Sequence, residues 1–216
     1  MVKIMDADEA IKFVKSGQRV MIGGFGLVGS PERLIEALSR AEVKDLIIIG
    51  NDLGAANKGI GKVLLQGKIK KAIGSYFTPN PDAARLYSEG KLEIELIPQG
   101  NYAEAIRAGG LGLGPFYTPT GAGTIYARNK ETRVFDGKEY ILEYPVRGDV
   151  ALIRAHKADR LGNLVYKKAG RNFNPLMAMA AEICIAEVDE IVEAGELSPE
   201  EIVTPFIFVD ILVPRS

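Results

Sequence analysis

The chain has 216 residues, 47% of them hydrophobic, with 27 Lys and Arg against 28 Asp and Glu for a formal net charge of -1. That length suits one sizeable α/β domain, or a domain with a small appendage, and the interspersed, near-neutral charge argues against a nucleic-acid footprint. No stretch is long and apolar enough to cross a bilayer as a helix, and residues 1–10 are too charged for a signal peptide, so the expectation is a cytoplasmic protein that binds neither membrane nor nucleic acid.

In chain order, residues 8–15 read as a helix ended by Ser16-Gly17, and Arg19-Val20-Met21-Ile22 as a short buried strand. Gly23-Gly24-Phe25-Gly26-Leu27-Val28-Gly29 follows, and then Ser30-Pro31-Glu32, which has the signature of a helix start: Ser30 as cap, Pro31 at the first helical position, Glu32 at the positive end of the dipole. That helix extends to about Arg40. Residues 45–50 form a second apolar strand without alternation, as expected when both faces are covered, and run into Asn51-Asp52. A helix at 61–66, a strand at 69–73, a helix from Asn80-Pro81-Asp82 to about Ser88 and a strand at 92–97 come next. Pro98-Gln99-Gly100-Asn101 then precedes a helix at 102–108, where Asn101 and Glu104 have capping-box spacing.

Residues 109–123 hold six glycines and two prolines, too long for an ordinary connection, and carry the apolar residues Leu111, Leu113, Phe116 and Tyr117, which suit an interface. Residues 133–142 read as a β-hairpin turning at Asp136-Gly137, so that a small β subdomain is expected at about 109–148 within one domain spanning 1–216. Strands at 150–155, 161–166, 183–188 and 206–213, a helix at 173–181 and a capped turn at 198–201 complete the chain, with no internal repeat. The lone Cys184 sits in the apolar run 182–186 and reads as a buried strand thiol in a reducing compartment. Strands alternating with helices predict a doubly wound, mostly parallel open α/β sheet with a small β subdomain, with ligands bound beyond the carboxyl ends of the strands.

A strand, a glycine-rich turn and a helix N-terminus together offer converging N–H groups to an anion. Gly24, Gly26 and Gly29 satisfy G-x-G-x-x-G, which raises an NAD-dependent oxidoreductase as one reading. The Ser30-Pro31 start signal argues against it, because the helix of a dinucleotide turn is already under way at the third glycine. A ligand-free turn, a sugar-phosphate isomerase-like domain and a non-catalytic binding subunit remain as alternatives. His156, the only histidine, lacks Cys or His partners and reads as surface or structural, so no metal site is expected.

The blocks Gly23-Gly24-Phe25 with Gly29 and Pro31, Asn51-Asp52, Gly59-Ile60-Gly61, Pro98-Gln99-Gly100, residues 104–110, residues 117–124 and Arg171-Asn172-Phe173-Asn174-Pro175 resemble, in order and across essentially the whole chain, the α-subunit side of the family I coenzyme A transferases. The likeness is to the acetate/butyrate–acetoacetate type, although Ser16-Gly17 stands where that family usually has Asp or Asn before Gly. The resemblance implies ping-pong exchange through a glutamyl-CoA thioester, with coenzyme A as co-substrate and no metal or redox cofactor. The nucleophilic glutamate, in a Ser-Glu-Asn-Gly block, is expected on a separate β subunit. Only Ser88-Glu89-Gly90 comes near that block here, and Glu89 reads as a solvated helix-end residue. By the same resemblance Gln99 donates to the oxyanion, Gly23, Gly24, Phe25, Gly26, Leu27, Val28 and Gly29 line the CoA site, and Asn51 supports nucleophile or substrate. Two α and two β chains are the expected assembly. The Arg171–Asn174 block reads either as reaching the site or partner or as a helix cap.

Overall fold

The computed structural model describes residues 2–215. The first half runs β1 (Lys3–Ile4), α1 (Ala7–Ala10), β2 (Arg19–Ile22), α2 (Glu32–Arg40), β3 (Leu46–Ile49), α3 (Gly61–Leu65), β4 (Ile69–Gly74), α4 (Pro81–Ser88), β5 (Glu93–Leu96) and α5 (Gln99–Gly110). It continues through β6 (Phe116–Thr118), β7 (Thr132–Phe135), β8 (Lys138–Glu143), β9 (Gly148–Asp159), β10 (Leu164–Val165), α6 (Asn174–Met179), β11 (Ala181–Val192) and β12 (Ile211–Pro214).

The large sheet has the order β1-β12-β11-β9-β2-β3-β4-β5 with every neighbour parallel, and β10 pairs antiparallel with β9. Its apolar runs are explained by burial on both faces. Val20 and Ile22 of β2 join one apolar cluster with residues of α1 to α4, whereas Met21 joins the opposite cluster with α5 and α6. Val150 and Leu152 of β9 divide from Ala151 and Ile153 in the same way. Cys184 is a buried strand residue of the second cluster.

From β2 the chain moves outward through β3, β4 and β5, then crosses back to add β9, β11 and β12 on the other side. The connectivity therefore reverses between β2 and β9, and ligands of doubly wound sheets bind in the crevice above such a reversal. The small sheet β6-β8-β7 is antiparallel. Asp136 (φ 48°) and Gly137 (φ 73°) form its two-residue turn, matching the sequence signal and the positive φ pair a type I′ turn needs.

Some boundaries differ from the sequence reading. The helix at 8–15 is α1 followed by a 3-10 turn, Ile11–Phe13, and the strand at 206–213 is a 3-10 turn, Phe206–Phe208, before β12. Leu96 is 53% exposed despite its apolar alternation with Leu92 and Ile94, because β5 is the edge strand of the sheet.

The start of α2 is the main correction. It begins at Glu32, Pro31 occupies the N-cap position, and no local side chain caps it. Glu187 of β11, with 0% exposure, does so from across the sheet: its Oε2 accepts the N–H groups of Arg33 (2.8 Å) and Leu34 (3.3 Å). Arg215 Nε lies 3.2 Å from the other oxygen. Burial raises the Glu187 pKa above its ordinary value of 4.5, opposed by the Leu34 and Arg33 N–H groups and by Arg215 and Arg154. A raised carboxyl pKa contributes stability that is fully present below the unfolded value and is lost as pH rises through the folded value. Glu187→Gln, which keeps an acceptor for the helix, should therefore fold and flatten the pH dependence of stability above about pH 4.5. Glu187→Ala should lose about 1–2 kcal/mol, the usual cost of deleting a cap. Urea denaturation of both variants across pH checks this, and equal losses in the two would remove Glu187 from the capping role.

Candidate functional site

The glycine turn after β2 is a miniature hairpin. Phe25 and Val28 exchange both backbone hydrogen bonds (3.0 and 3.1 Å), leaving Gly26-Leu27 at the tip. Phe25, Leu27 and Val28 are 48%, 44% and 53% exposed, an apolar tip projecting from the sheet edge. Glycine is required at its base: a β-carbon on Gly23 would lie 1.9 Å from Asn174 Oδ1, and one on Gly29, at φ 69°, would lie 2.6 Å from the Gly170 carbonyl.

A second turn of the same design follows β3. Ala55 and Lys58 exchange backbone hydrogen bonds (3.2 and 2.9 Å), flanked by Gly54 and Gly59 at positive φ. Gly24 to Gly29 and Gly54 to Gly59 share one spacing, so the turn design recurs although the surrounding sequence does not. Asp52, buried between them, holds both. Its Oδ2 accepts from Gly26 N (2.6 Å) and Asn51 Nδ2 (3.0 Å), and its Oδ1 from Gly54 N (2.8 Å).

Asn51, just past the end of β3, is 2% exposed and fixes this carboxylate by that hydrogen bond. Its Oδ1 accepts from Ser75 Oγ (2.8 Å), and its carbonyl from the N–H groups of Ser75 and Tyr76, both 3.1 Å. The Arg171–Asn174 block reaches the glycine turn, and the cap reading of it does not hold. Asn172 Nδ2 donates to the Val28 carbonyl (3.0 Å), while Asn174 Nδ2 donates to the carbonyls of Gly29 (3.0 Å) and Gly170 (2.8 Å). Asn174 Oδ1 accepts from Arg154 N (2.9 Å), which ties the turn to β9. Phe173 is the N-cap of α6 and caps it through no side chain.

Gln99 is the first residue of α5 and is exposed, with no side-chain hydrogen bond among the described residues. The capping box expected for Asn101 and Glu104 is not formed. The helix starts earlier, with Tyr102 N donating to the Pro98 carbonyl (2.8 Å), so Asn101 falls inside it. Asn101 Nδ2 instead donates to Thr120 O and Glu143 Oε1, each 3.0 Å, fastening the small subdomain to α5. Glu104 pairs with Arg107. Tyr102 packs its ring against Phe173 at 5.3 Å and is fully buried with an unpartnered hydroxyl. Burial, and secondarily the Asp52 charge, raise its pKa well above the ordinary tyrosine value, which keeps the phenol neutral.

The glycine turn, Asn51, Ser75 and Gln99 thus follow β2, β3, β4 and β5, four consecutive strands, along one edge. Three strand spacings of about 4.8 Å separate the first from the last, roughly 14 Å. Asp52 is fully engaged by N–H donors. Glu89 caps the far end of α4, towards the opposite edge of the sheet, and pairs with Lys91 (2.8 Å) and Arg85 (3.3 Å). Its pKa is lowered chiefly by the Lys91 hydrogen bond. His156 Nδ1 lies 3.2 Å from Asp189 Oδ2. Among the described residues no group of three or more His, Cys, Asp and Glu is placed to hold a metal. The α2 N-terminus does not offer the N–H groups of Arg33 and Leu34 to a ligand, since Glu187 takes them. That removes both the dinucleotide reading and the simple anion cradle. Sequence reasoning missed the roles of Asp52 and Glu187, and only the position of Asp52 at a strand's carboxyl end could have pointed to it.

An open parallel sheet with helices on both faces, carrying two glycine hairpins and a helix-start glutamine on one edge, defines a doubly wound α/β domain. The match to a family model described as Coenzyme A transferase covers residues 4–214, and the chain belongs to that family. It is 46% identical over 211 residues to the alpha subunit of the acetate CoA-transferase of Escherichia coli K12, covering 98% of this chain and 96% of the relative. It is 50% identical to the A subunit of the succinyl-CoA:3-ketoacid coenzyme A transferase of Helicobacter pylori J99, over 95% of this chain and 89% of the relative. The A subunit of the 3-oxoadipate CoA-transferase of Acinetobacter baylyi is also 50% identical, over 95% of this chain and 91% of the relative. Among solved structures, an acyl-CoA transferase of E. coli O157:H7, in a thioester complex with CoA, superposes with a TM-score of 0.88 at 22% identity. That superposition covers 99% of this chain but only 47% of the other, so this chain spans about half of it. Glutaconate coenzyme A-transferase of Acidaminococcus fermentans gives a TM-score of 0.84 at 21% identity, over 98% and 75% of the two chains. At these identities the likeness establishes the fold.

Removing the Asp52 carboxylate unties both turns at once. Asp52→Ala should lose about 2–4 kcal/mol, from hydrogen bonds to a charged group. The second turn should open to trypsin at Lys58, which is exposed at its corner. Limited proteolysis with mass readout checks this. A Lys58 site cut no faster than in the parent protein would mean that Asp52 does not hold the turn.

Proposed function

We propose that this chain is the α subunit of a short-chain acyl-CoA:carboxylate CoA-transferase of the acetate/butyrate–acetoacetate type, working with a separate β subunit. The near full-length similarity to proteins named as alpha or A subunits carries the reading. Supporting it, Asp52 between the two turns is taken by three donors, and Glu89, the residue that comes nearest the nucleophile block in sequence, by two cations near the other edge.

The glutamate of the β subunit attacks the acyl-CoA carbonyl, giving a mixed anhydride and CoA thiolate. The thiolate then attacks the glutamyl carbonyl, releasing the carboxylate and leaving the enzyme as a CoA thioester. A second carboxylate accepts CoA by the reverse steps, so the thioester's energy is conserved in a covalent intermediate. Each attack converts a carbonyl oxygen to an oxyanion. The Gln99 amide donates to it from an exposed, helix-anchored position that Tyr102 and Phe173 keep fixed. Residues 23–29 line the CoA channel, their exposed Phe25, Leu27 and Val28 offering apolar contact and the glycines close backbone approach. Asn51 acts by holding Asp52 and thereby both turns, so its support of the substrate is indirect. Coenzyme A is the co-substrate, the assembly is two α with two β chains, and the setting is the cytoplasm. For the described residues, no helix is long and apolar enough to cross a membrane.

The isolated chain should show no acetoacetate-dependent CoA transfer, and addition of the β subunit should restore it. Steady transfer by the chain alone would overturn the half-site reading. In the assembled enzyme Gln99→Ala should lower kcat on the order of 10²-fold, the usual loss for one oxyanion donor, with KM little changed. An unaltered kcat would take Gln99 out of the mechanism.

A further inference from the structure

Gln99 carries no side-chain hydrogen bond among the described residues, so its aim depends on the backbone of the first turn of α5. Helix ends fray unless tied down, and this one has no side-chain cap. Gly100 is exposed, and a β-carbon there would meet nothing within 4 Å, so it neither stiffens nor packs the turn. Within residues 99–101 only Asn101 is anchored by its side chain, and it is 2% exposed. Its Nδ2 donates to Glu143 Oε1 and to the Thr120 carbonyl, each 3.0 Å, and its Oδ1 accepts from Thr118 Oγ1 at 3.4 Å. Side chains two residues apart on a helix point about 200° apart. Asn101 turned into the small subdomain therefore leaves Gln99 projecting on the opposite side, into solvent.

Glu143 closes β8 and is 5% exposed. Its second oxygen accepts from Lys130 Nζ at 2.9 Å, and that ammonium lies 4.2 Å from the centroid of the Tyr126 ring. A buried carboxylate set between a cation and an amide leaves Asn101 little freedom, because moving it breaks a charge-assisted hydrogen bond. Just beyond, Val146 N donates to the Ala105 carbonyl (2.9 Å), one turn further along α5, so the chain leaving β8 is docked on the same helix.

We propose that Glu143 is a positioning residue: through Asn101 it sets the first turn of α5, and so the aim of the Gln99 amide. The small subdomain, to which the proposed chemistry assigns no group, thereby acts on the reaction. The inference rests on the oxyanion role of Gln99 proposed above and adds how that amide is held. An oxyanion donor works only at hydrogen-bond distance from the developing charge, so a turn free to shift by about 1 Å forfeits much of its effect.

The test uses the enzyme assembled with its β partner, transferring CoA from acetyl-CoA to acetoacetate, and two variants that cut the link from either side. Glu143→Ala removes the acceptor. Asn101→Ala removes the donor, leaves Glu143 its lysine and places the best helix former in α5, so a loss cannot come from a weaker helix; it carries the test if Glu143→Ala does not fold. Each should lower kcat about 10-fold with KM little changed. Glu143→Gln, which keeps an oxygen for Asn101, should recover most of that loss. In a Gln99→Ala background neither alanine variant should lower kcat further, since a residue that acts through Gln99 has nothing left to aim. Native-state hydrogen exchange reads the same link without activity. The Tyr102 amide, bonded to the Pro98 carbonyl at 2.8 Å, should exchange about 10-fold faster in either alanine variant. An undiminished kcat in both variants, or losses that multiply with that of Gln99→Ala, overturns the assignment. Should Gln99→Ala by itself leave kcat unchanged, the Gln99 reading fails, and exchange at Tyr102 still decides whether Glu143 holds the turn.

Discussion

One buried carboxylate organises the edge of this sheet. Asp52 accepts the N–H groups of Gly26 and Gly54 at 2.6 and 2.8 Å, and so sets two loops from different strands against each other. Glycine-rich turns are cheap to bend and costly to order, because glycine loses the most conformational freedom on folding. A charged acceptor shielded from water is one of the few side-chain devices strong enough to hold two of them. Asn51 completes it by donating to the carboxylate and being clamped by Ser75, so β3, β4 and both turns share one hydrogen-bonded knot.

The second constraint runs across the sheet. Glu187 caps α2 from β11, and Asn174 fixes the base of the glycine turn from α6. Both link elements about 150 residues apart in the chain, and both sit where the connectivity reverses. The turn is therefore gripped on one side by Asp52 and on the other by the Asn172 and Asn174 amides, with its apolar tip left free to meet a ligand or a partner. Gly23 is packed so tightly on Asn174 that no side chain could replace it. Since Glu187 takes the N–H groups of Arg33 and Leu34, the start of α2 does not offer them to an anion.

On the function proposed above, the edge is a platform rather than a complete catalyst. Gln99 is exposed and rigidly based, and the glycine turn is poised, while Asp52 and Glu89 are committed to structural partners. That arrangement suits a protein that binds and polarises while another chain supplies the nucleophile.

Much of this was legible in the sequence because it is local. Apolar runs without alternation marked the parallel strands, Asp136-Gly137 marked the hairpin, and the ordered blocks from Gly23 to Pro175 marked the family. The late start signal at Ser30-Pro31 correctly separated the loop from a dinucleotide turn, since α2 begins at Glu32. What failed was each assignment that needed to know where a polar side chain points. Ser30 looked like the cap of α2 and Asn101 like a cap of α5, because spacing along the chain is all a sequence shows. In the fold, Glu187 supplies the first cap, and Asn101 is turned inward to Thr120 and Glu143. Asn172 and Asn174 likewise bond a turn nearly 150 residues away. A buried polar group takes whichever partner the packed elements bring within about 3 Å, and only the tertiary structure decides which that is.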